Sequence, residues 1–148
     1  MRLFAKSVTD PDVCFCQNLG VVLVGLNRGT TSVAWGAITR RVLSERGLLH
    51  ILEEHGPKLD GYIVRECYPT DRKVLLNHAE ALFEIATAES IWREKPDMMV
   101  PLTNVIKKMG LYDSEKRELI KKYILKDIHN LDGELQNMLL DSWVENFS

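Results

Sequence analysis

The sequence predicts an all-α protein, a compact multi-helix bundle of six to eight helices around a central buried helix, and it allows a small β element near the N-terminus. Residues 70–92 carry apolar side chains over more than half of a helical wheel, whereas an ordinary surface helix has an apolar stripe of about 100°. Helix-start and helix-stop signals recur at short intervals along the chain. With 148 residues, 45% of them hydrophobic, and no linker rich in Pro, Gly or Ser, residues 1–148 are expected to form a single globular helical domain.

The central helix is predicted to run without a break over residues 71–92, with Thr70 as its N-cap and Asp71 in its first turn. Its polar residues occupy one narrow arc of the wheel, which holds Asn77, Glu80, Glu84 and Thr87. A helix with so little polar surface is expected to be covered by neighbours on several sides.

The N-terminal part of the chain begins with a helix-start signal, Asp-Pro-Asp at residues 10–12, in which aspartate is the N-cap and proline takes the first helical position. Residues 13–26 are open to two interpretations. The valines at positions 21, 22 and 24 favour a pair of strands, whereas the length of the apolar run and its flanks favour a helix slightly more.

Several shorter elements are predicted between this segment and the central helix. A turn at residues 27–29 precedes a helix that is capped by one of the residues 30–32 and ends at about Glu45, with Gly47 just beyond it. A short helix over residues 48–54 is stopped by Gly56 and Pro57, and residues 58–67 contain one short helical or extended piece.

Three more helices are predicted after the central helix. The first covers residues 98–109 and ends at Gly110, the second starts at Asp113 or Ser114 and ends at about His129, and the third is capped by Asp132. Connections of a few residues between such helices favour antiparallel neighbours.

Composition restricts the compartment and the partner class. A net charge of −2 gives the whole molecule no bias towards nucleic acid or an anionic membrane. Three cysteines, an odd number, suit a reducing compartment better than a disulfide framework. No apolar segment approaches the roughly 20 residues of a bilayer span, and the N-terminus has no signal-peptide pattern. We therefore expect a soluble, cytoplasmic protein without a membrane partner, inside the host cell if its source is a virus or another pathogen.

The sequence contains no catalytic, cofactor or metal signature. Cys14 and Cys16 form an isolated C-x-C without the further ligands of a metal site, so buried structural thiols are expected. His78 and Glu89 share the apolar side of the central helix but would lie about 16 Å apart along its axis, too far to act as a pair. His78 is expected to be a core residue hydrogen-bonded to a carbonyl, although a functional role for it and for Glu89 stays open. We expect no enzyme activity, no catalytic residue, no metal and no small-molecule cofactor.

The distribution of charge gives the strongest functional indication. Residues 105–126 contain seven basic and three acidic side chains, whereas residues 127–148 contain five acidic and no basic ones. Complementary charged segments of this kind are typical either of solvated helix faces or of surfaces that set an interface. Two aromatic residues near the end of the chain, Trp143 and Phe147, either close the core or bind a partner. The interface candidates are therefore these two residues and the basic side chains of the first segment, namely Lys107, Lys108, Lys116, Arg117, Lys121, Lys122 and Lys126.

These observations favour a non-enzymatic α-helical module for protein–protein interaction or assembly, an adaptor, a regulator or a structural subunit, with a protein partner or self-association. The alternative is a nucleic-acid-binding helical protein that uses the basic segment from Lys107 to Lys126, which the net negative charge disfavours. A third, less favoured hypothesis is that the protein is an enzyme that uses Cys14 or Cys67 together with a histidine.

Overall fold

In the computed structural model of the chain, residues 6–8, 10–29, 35–57, 62–64 and 71–148 are described. Within these ranges the chain forms seven α-helices: α1 (Pro11–Gly29), α2 (Trp35–Glu45), α3 (Leu49–His55), α4 (Arg72–Thr87), α5 (Val100–Lys108), α6 (Asp113–Tyr123) and α7 (Gly133–Asn146). Short 3₁₀-helices at Ser90–Arg93, Pro96–Met99 and Ile128–Asn130 connect the later ones. The predicted all-α bundle is confirmed.

Residues 13–26 lie within α1, which decides between the two interpretations in favour of the helix. The side chain of Asp10 accepts a hydrogen bond from the backbone N–H of Asp12 (2.9 Å), as a helix-start signal requires. The small β element is present near the N-terminus, at residues 6–8 and not within residues 13–26. Strand β1 (Lys6–Val8) pairs in parallel with strand β2 (Tyr62–Val64), with Ser7 opposite Ile63.

Helix α4 is the buried central helix, but the prediction of one unbroken helix over residues 71–92 is wrong. The helix ends at Thr87, and Glu89 has an extended backbone (φ −105°, ψ 143°) before the 3₁₀-helix Ser90–Arg93. This change of direction brings the buried side chain of Trp92 edge-on to Trp143, with ring centroids 6.3 Å apart. Packing at the C-terminal end of the bundle therefore overrides the local helical pattern.

Two predicted helix starts are also corrected. The N-cap of α4 is Asp71, whose side chain accepts from the backbone N–H groups of Lys73 (2.9 Å) and Val74 (3.4 Å). Helix α6 begins one residue beyond Tyr112, whose backbone N–H donates to the Glu115 side chain (2.7 Å). The caps predicted at residues 30–32, and the piece predicted over residues 58–67 apart from β2, lie outside the described residues.

Helix boundaries differ at two further places. Helix α6 ends at Tyr123 rather than near His129, because the chain turns into the 3₁₀-helix Ile128–Asn130. The helix predicted over residues 98–109 begins instead with the 3₁₀-helix Pro96–Met99. The N-cap at Asp132 is confirmed by its side chain, which accepts from the backbone N–H of Leu135 (2.9 Å).

The core lies where α1 and α4 meet their neighbours. Helix α1 packs against α3, α4 and α5, while α4 also contacts α2, α5 and α6, and α7 packs on α6. Helices α1 and α5 approach each other closely at Gly25, where an added Cβ would lie 2.2 Å from Cγ of Pro101 on α5. Among the described helices, none combines the length and the apolar character that crossing a bilayer demands.

Candidate functional site

Some side chains of the predicted basic segment form contacts within the chain, whereas others are exposed to solvent. Lys116 is buried, and its Nζ donates to Oγ of Ser148 (3.2 Å). Arg117 joins α6 to α7, because its guanidinium donates to Oδ1 of Asp141 (2.5 Å) and to Oδ1 of Asn137 (3.1 Å). Part of the charge complementarity seen in the sequence is thus used inside one chain.

The other basic candidates are exposed, and two of them lie close to a carboxylate of the same chain. Lys122 donates to Oε2 of Glu80 on α4 (2.6 Å), and Lys121 lies 3.8 Å from Glu118 of its own helix. Three of the candidate lysines have no ion pair with any described residue, namely Lys107, Lys108 and Lys126.

The two terminal aromatic candidates have different environments. Phe147 is fully buried, with its ring centroid 5.1 Å from that of Phe83 on α4, so it closes the core. Trp143 is half-buried and packs between Trp92 and Phe147. Phe147 is therefore a core residue, whereas part of the Trp143 side chain stays accessible.

A charged cluster that the sequence analysis did not identify lies on the polar arc of α4. We call Arg46, Glu80, Glu84, Lys122 and Tyr123 the Arg46 cluster. Arg46, in the turn after α2, donates through Nη1 to Oε1 of Glu80 (2.9 Å) and through Nε and Nη2 to Oε1 of Glu84 (3.0 and 2.6 Å). Its Nη2 also lies 2.7 Å from the Tyr123 hydroxyl, which itself donates to Oε2 of Glu80 (2.9 Å).

The Arg46 cluster fixes the α2–α3 turn to α4 and α6. Burial pushes the pKa of Glu80 up, but hydrogen bonds from Lys122, Tyr123 and Arg46 outweigh it and hold the pKa below its ordinary value. Burial, together with the hydrogen bond to Glu80, raises the pKa of the Tyr123 hydroxyl. These shifts favour the ionised carboxylate and the neutral phenol, which makes the cluster a structural ion-pair network rather than an acid–base pair.

His78 is buried on α4, as predicted, but without the predicted hydrogen bond. Its Nε2 has no hydrogen-bond partner among the described residues and lies 3.7 Å from Oδ1 of Asp12, at the start of α1. Its ring packs on Phe15 with centroids 4.7 Å apart. Burial lowers the pKa of His78, and the opposing influence of Asp12 and Asp10 is smaller. Glu89 is half-buried at the break after α4, away from His78.

The cysteines of α1 are both buried, but only one of them is a thiol. Cys14 is disulfide-bonded, so the expectation of two reduced thiols is wrong for this residue. Cys16 donates to the carbonyl of Ile51 (3.3 Å), and burial followed by the charge of Asp12 raises its pKa to about 11. That shift is opposite to the one that activates a nucleophilic thiol. Cys67 lies outside the described residues, and the described ones contain no group of three side chains able to hold a metal ion.

Helix α7 has an outer face that the helical period did not reveal. Its apolar residues include Leu135, Met138 and Leu139, of which Met138 is 63% and Leu135 38% exposed, whereas Leu139 is half-buried. We call these three side chains the α7 stripe. Leu131, just before the helix, is also exposed (36%). The side of α7 that meets the core is formed by Leu140, Trp143, Val144 and Phe147, and Leu139, at the edge between the two sides, also packs against the core.

An acidic row borders the α7 stripe. Glu134, Asp141 and Glu145 fall within about 40° of one another on the helical wheel, next to Met138. All three residues are exposed. Asp141 pairs with Arg117, whereas Glu134 and Glu145 form no ion pair within the described part of the chain. The excess of acid after residue 127 indicated these charges, but not the apolar surface beside them.

No protein-family model, no curated protein and no solved structure matches this chain.

Proposed function

We propose that this chain is a non-enzymatic α-helical interaction module that binds a protein partner through the outer face of α7. The observation that carries the proposal is the α7 stripe, where Met138 and Leu135 are exposed side by side on a helix whose opposite face packs firmly on the core. Single exposed apolar residues are ordinary on soluble proteins, but a contiguous set with a charged border is typical of interaction sites.

The chemistry of the α7 stripe suits protein contact. Methionine is flexible and polarisable, which lets it adapt to the surface of another protein. The charged groups that the fold gathers elsewhere support a binding role over catalysis, since the Arg46 cluster pairs its carboxylates with cations and the Cys16 thiol has a raised pKa.

A photo-crosslinking experiment tests this proposal. The full chain would carry p-benzoylphenylalanine at position 138 and be irradiated in the cells that naturally contain it, with the same residue at position 74 as control. Val74 is a matched position, because it is also an exposed apolar residue (40%) but lies on α4. We expect a discrete protein adduct from position 138 and none from position 74, with unchanged circular dichroism in both variants.

Other outcomes of the same experiment would contradict the proposal. Crosslinks to nucleic acid from position 138 would favour the alternative based on the basic segment. Equal adducts from both positions, or none from position 138, would show that the α7 stripe is not a binding surface.

A further inference from the structure

The acidic row beside the α7 stripe restricts the kind of partner that fits it. We infer, on the basis of the proposed function, that the partner segment seated on α7 is a basic amphipathic helix. Its apolar side would cover the α7 stripe and its Lys or Arg side chains would meet Glu134 and Glu145. Complementary charge around an apolar centre sets the register and orientation of such contacts.

The spacing of the acids favours a helix as the occupant. Glu134 and Glu145 are eleven residues apart, which is about 16 Å along the axis of α7. A second helix lying along α7 can match this distance with basic residues that are about three turns apart. Its apolar residues, three and four positions apart in the sequence, would then lie against Leu135 and Met138. An extended peptide would need the edge of a β-sheet to pair with, and the described part of the structure has no such edge beside α7.

Charge argues against two other occupants. A second copy of α7 would bring together two segments that each carry five acidic and no basic residues between positions 127 and 148. Like charges facing each other across an interface are unfavourable. An anionic membrane surface would be repelled by the acidic row for the same reason.

Two synthetic peptides test the inference directly. Both are fluorescein-labelled helices of the same length with leucines at positions i, i+3, i+4 and i+7. One carries lysines on both flanks of the leucine stripe, and the other carries glutamates at those positions. We expect fluorescence anisotropy to show binding of the lysine peptide to the full chain, at least about tenfold tighter than the glutamate peptide. Its affinity should fall as salt rises, because exposed charge pairs are screened.

Matched charge reversals locate the binding. The double variant Glu134→Lys with Glu145→Lys should weaken the lysine peptide about tenfold, the change expected from losing two ion pairs at the rim. The control pair Glu53→Lys with Glu54→Lys reverses two exposed acids on α3 and should leave binding unchanged. Met138→Ala should also weaken binding, because it removes part of the apolar contact.

The results separate this inference from the proposed function. Equal binding of both peptides, no binding of the lysine peptide, or an equal effect of the α3 control pair would overturn the inference. So would a crosslinked segment at position 138 that is acidic, uncharged or part of a second copy of this chain, although any protein adduct that forms at position 138 and not at position 74 upholds the proposed function. An absent adduct at position 138 would refute both.

Discussion

Replacing Arg46 with methionine should destabilise the protein by removing the cation of the Arg46 cluster while keeping a long apolar side chain. The Arg46 guanidinium donates three hydrogen bonds to Glu80 and Glu84 and lies within hydrogen-bond distance of Tyr123. Without it, two carboxylates of neighbouring turns face each other in a half-buried site, and Lys122 is left as the cation paired with Glu80.

The expected size of the effect follows from burial. The side chains of Arg46, Glu80 and Glu84 are only 17%, 24% and 25% exposed. Exposed ion pairs contribute about 0–1 kcal/mol, and truncating one partner of a buried pair costs about 3–5 kcal/mol. An intermediate loss of about 2–3 kcal/mol is expected, which for a chain of this size lowers the Tm by about 5–10 °C.

Arg41→Met is the matched control. Arg41 also approaches Glu84, but at 3.8 Å and with 51% of its side chain exposed, so its removal should cost less than about 0.5 kcal/mol. Urea denaturation of wild type and both variants at pH 7 measures the three free energies of unfolding. If Arg46→Met and Arg41→Met proved equally mild, the assignment of the Arg46 cluster as the link between the α2–α3 turn, α4 and α6 would be refuted.

The pH dependence provides a second check on the Arg46 cluster. Because the pKa of Glu80 is depressed in the folded state, its contribution is complete above the unfolded value, near pH 4.5, and is lost as the pH falls through the folded pKa. The difference in stability between wild type and Arg46→Met should therefore be largest near neutral pH and shrink in acid below about pH 4. A difference that grows in acid would contradict the role given to Glu80.

Three further predictions concern the core. Because burial lowers the pKa of His78, the unfolded chain binds a proton more readily than the folded one. The free energy of unfolding should therefore fall as the pH drops below about 6.5, and it should fall less in the variant His78→Gln. Equal pH dependence of stability in the wild type and the variant would contradict this. Gly25→Ala should lower the Tm, because the added methyl group clashes with Pro101. Gly20→Ala on the same helix has open space around it and should be neutral or stabilising by up to about 1 kcal/mol. A Gly20→Ala variant less stable than Gly25→Ala would contradict the close contact between α1 and α5. Phe147→Ala should cost about 3–5 kcal/mol in urea denaturation, and a loss below about 1 kcal/mol would show that this ring does not close the core.

Much of the fold could be predicted because it depends on local rules. The width of the apolar arc identified α4 as the buried helix, and most of its residues from Leu75 to Thr87 are indeed buried. The start signals at residues 10–12 and at Asp132 were read correctly, since a capping side chain acts on backbone groups only two or three residues away. The break after Thr87 was missed, because it depends on a contact between Trp92 and Trp143, fifty-one positions apart in the sequence.

The candidate sites depended far more on tertiary structure. The sequence by itself determined that acids cluster after residue 127 and that Glu80 and Glu84 share a polar arc. It did not determine their partners. Only the packing of helices decided that Arg46 neutralises both glutamates and that Met138 faces solvent instead of the core. The physical reason is that helical periodicity specifies which side chains share a face, whereas the neighbour that covers a face is chosen by contacts between distant parts of the chain.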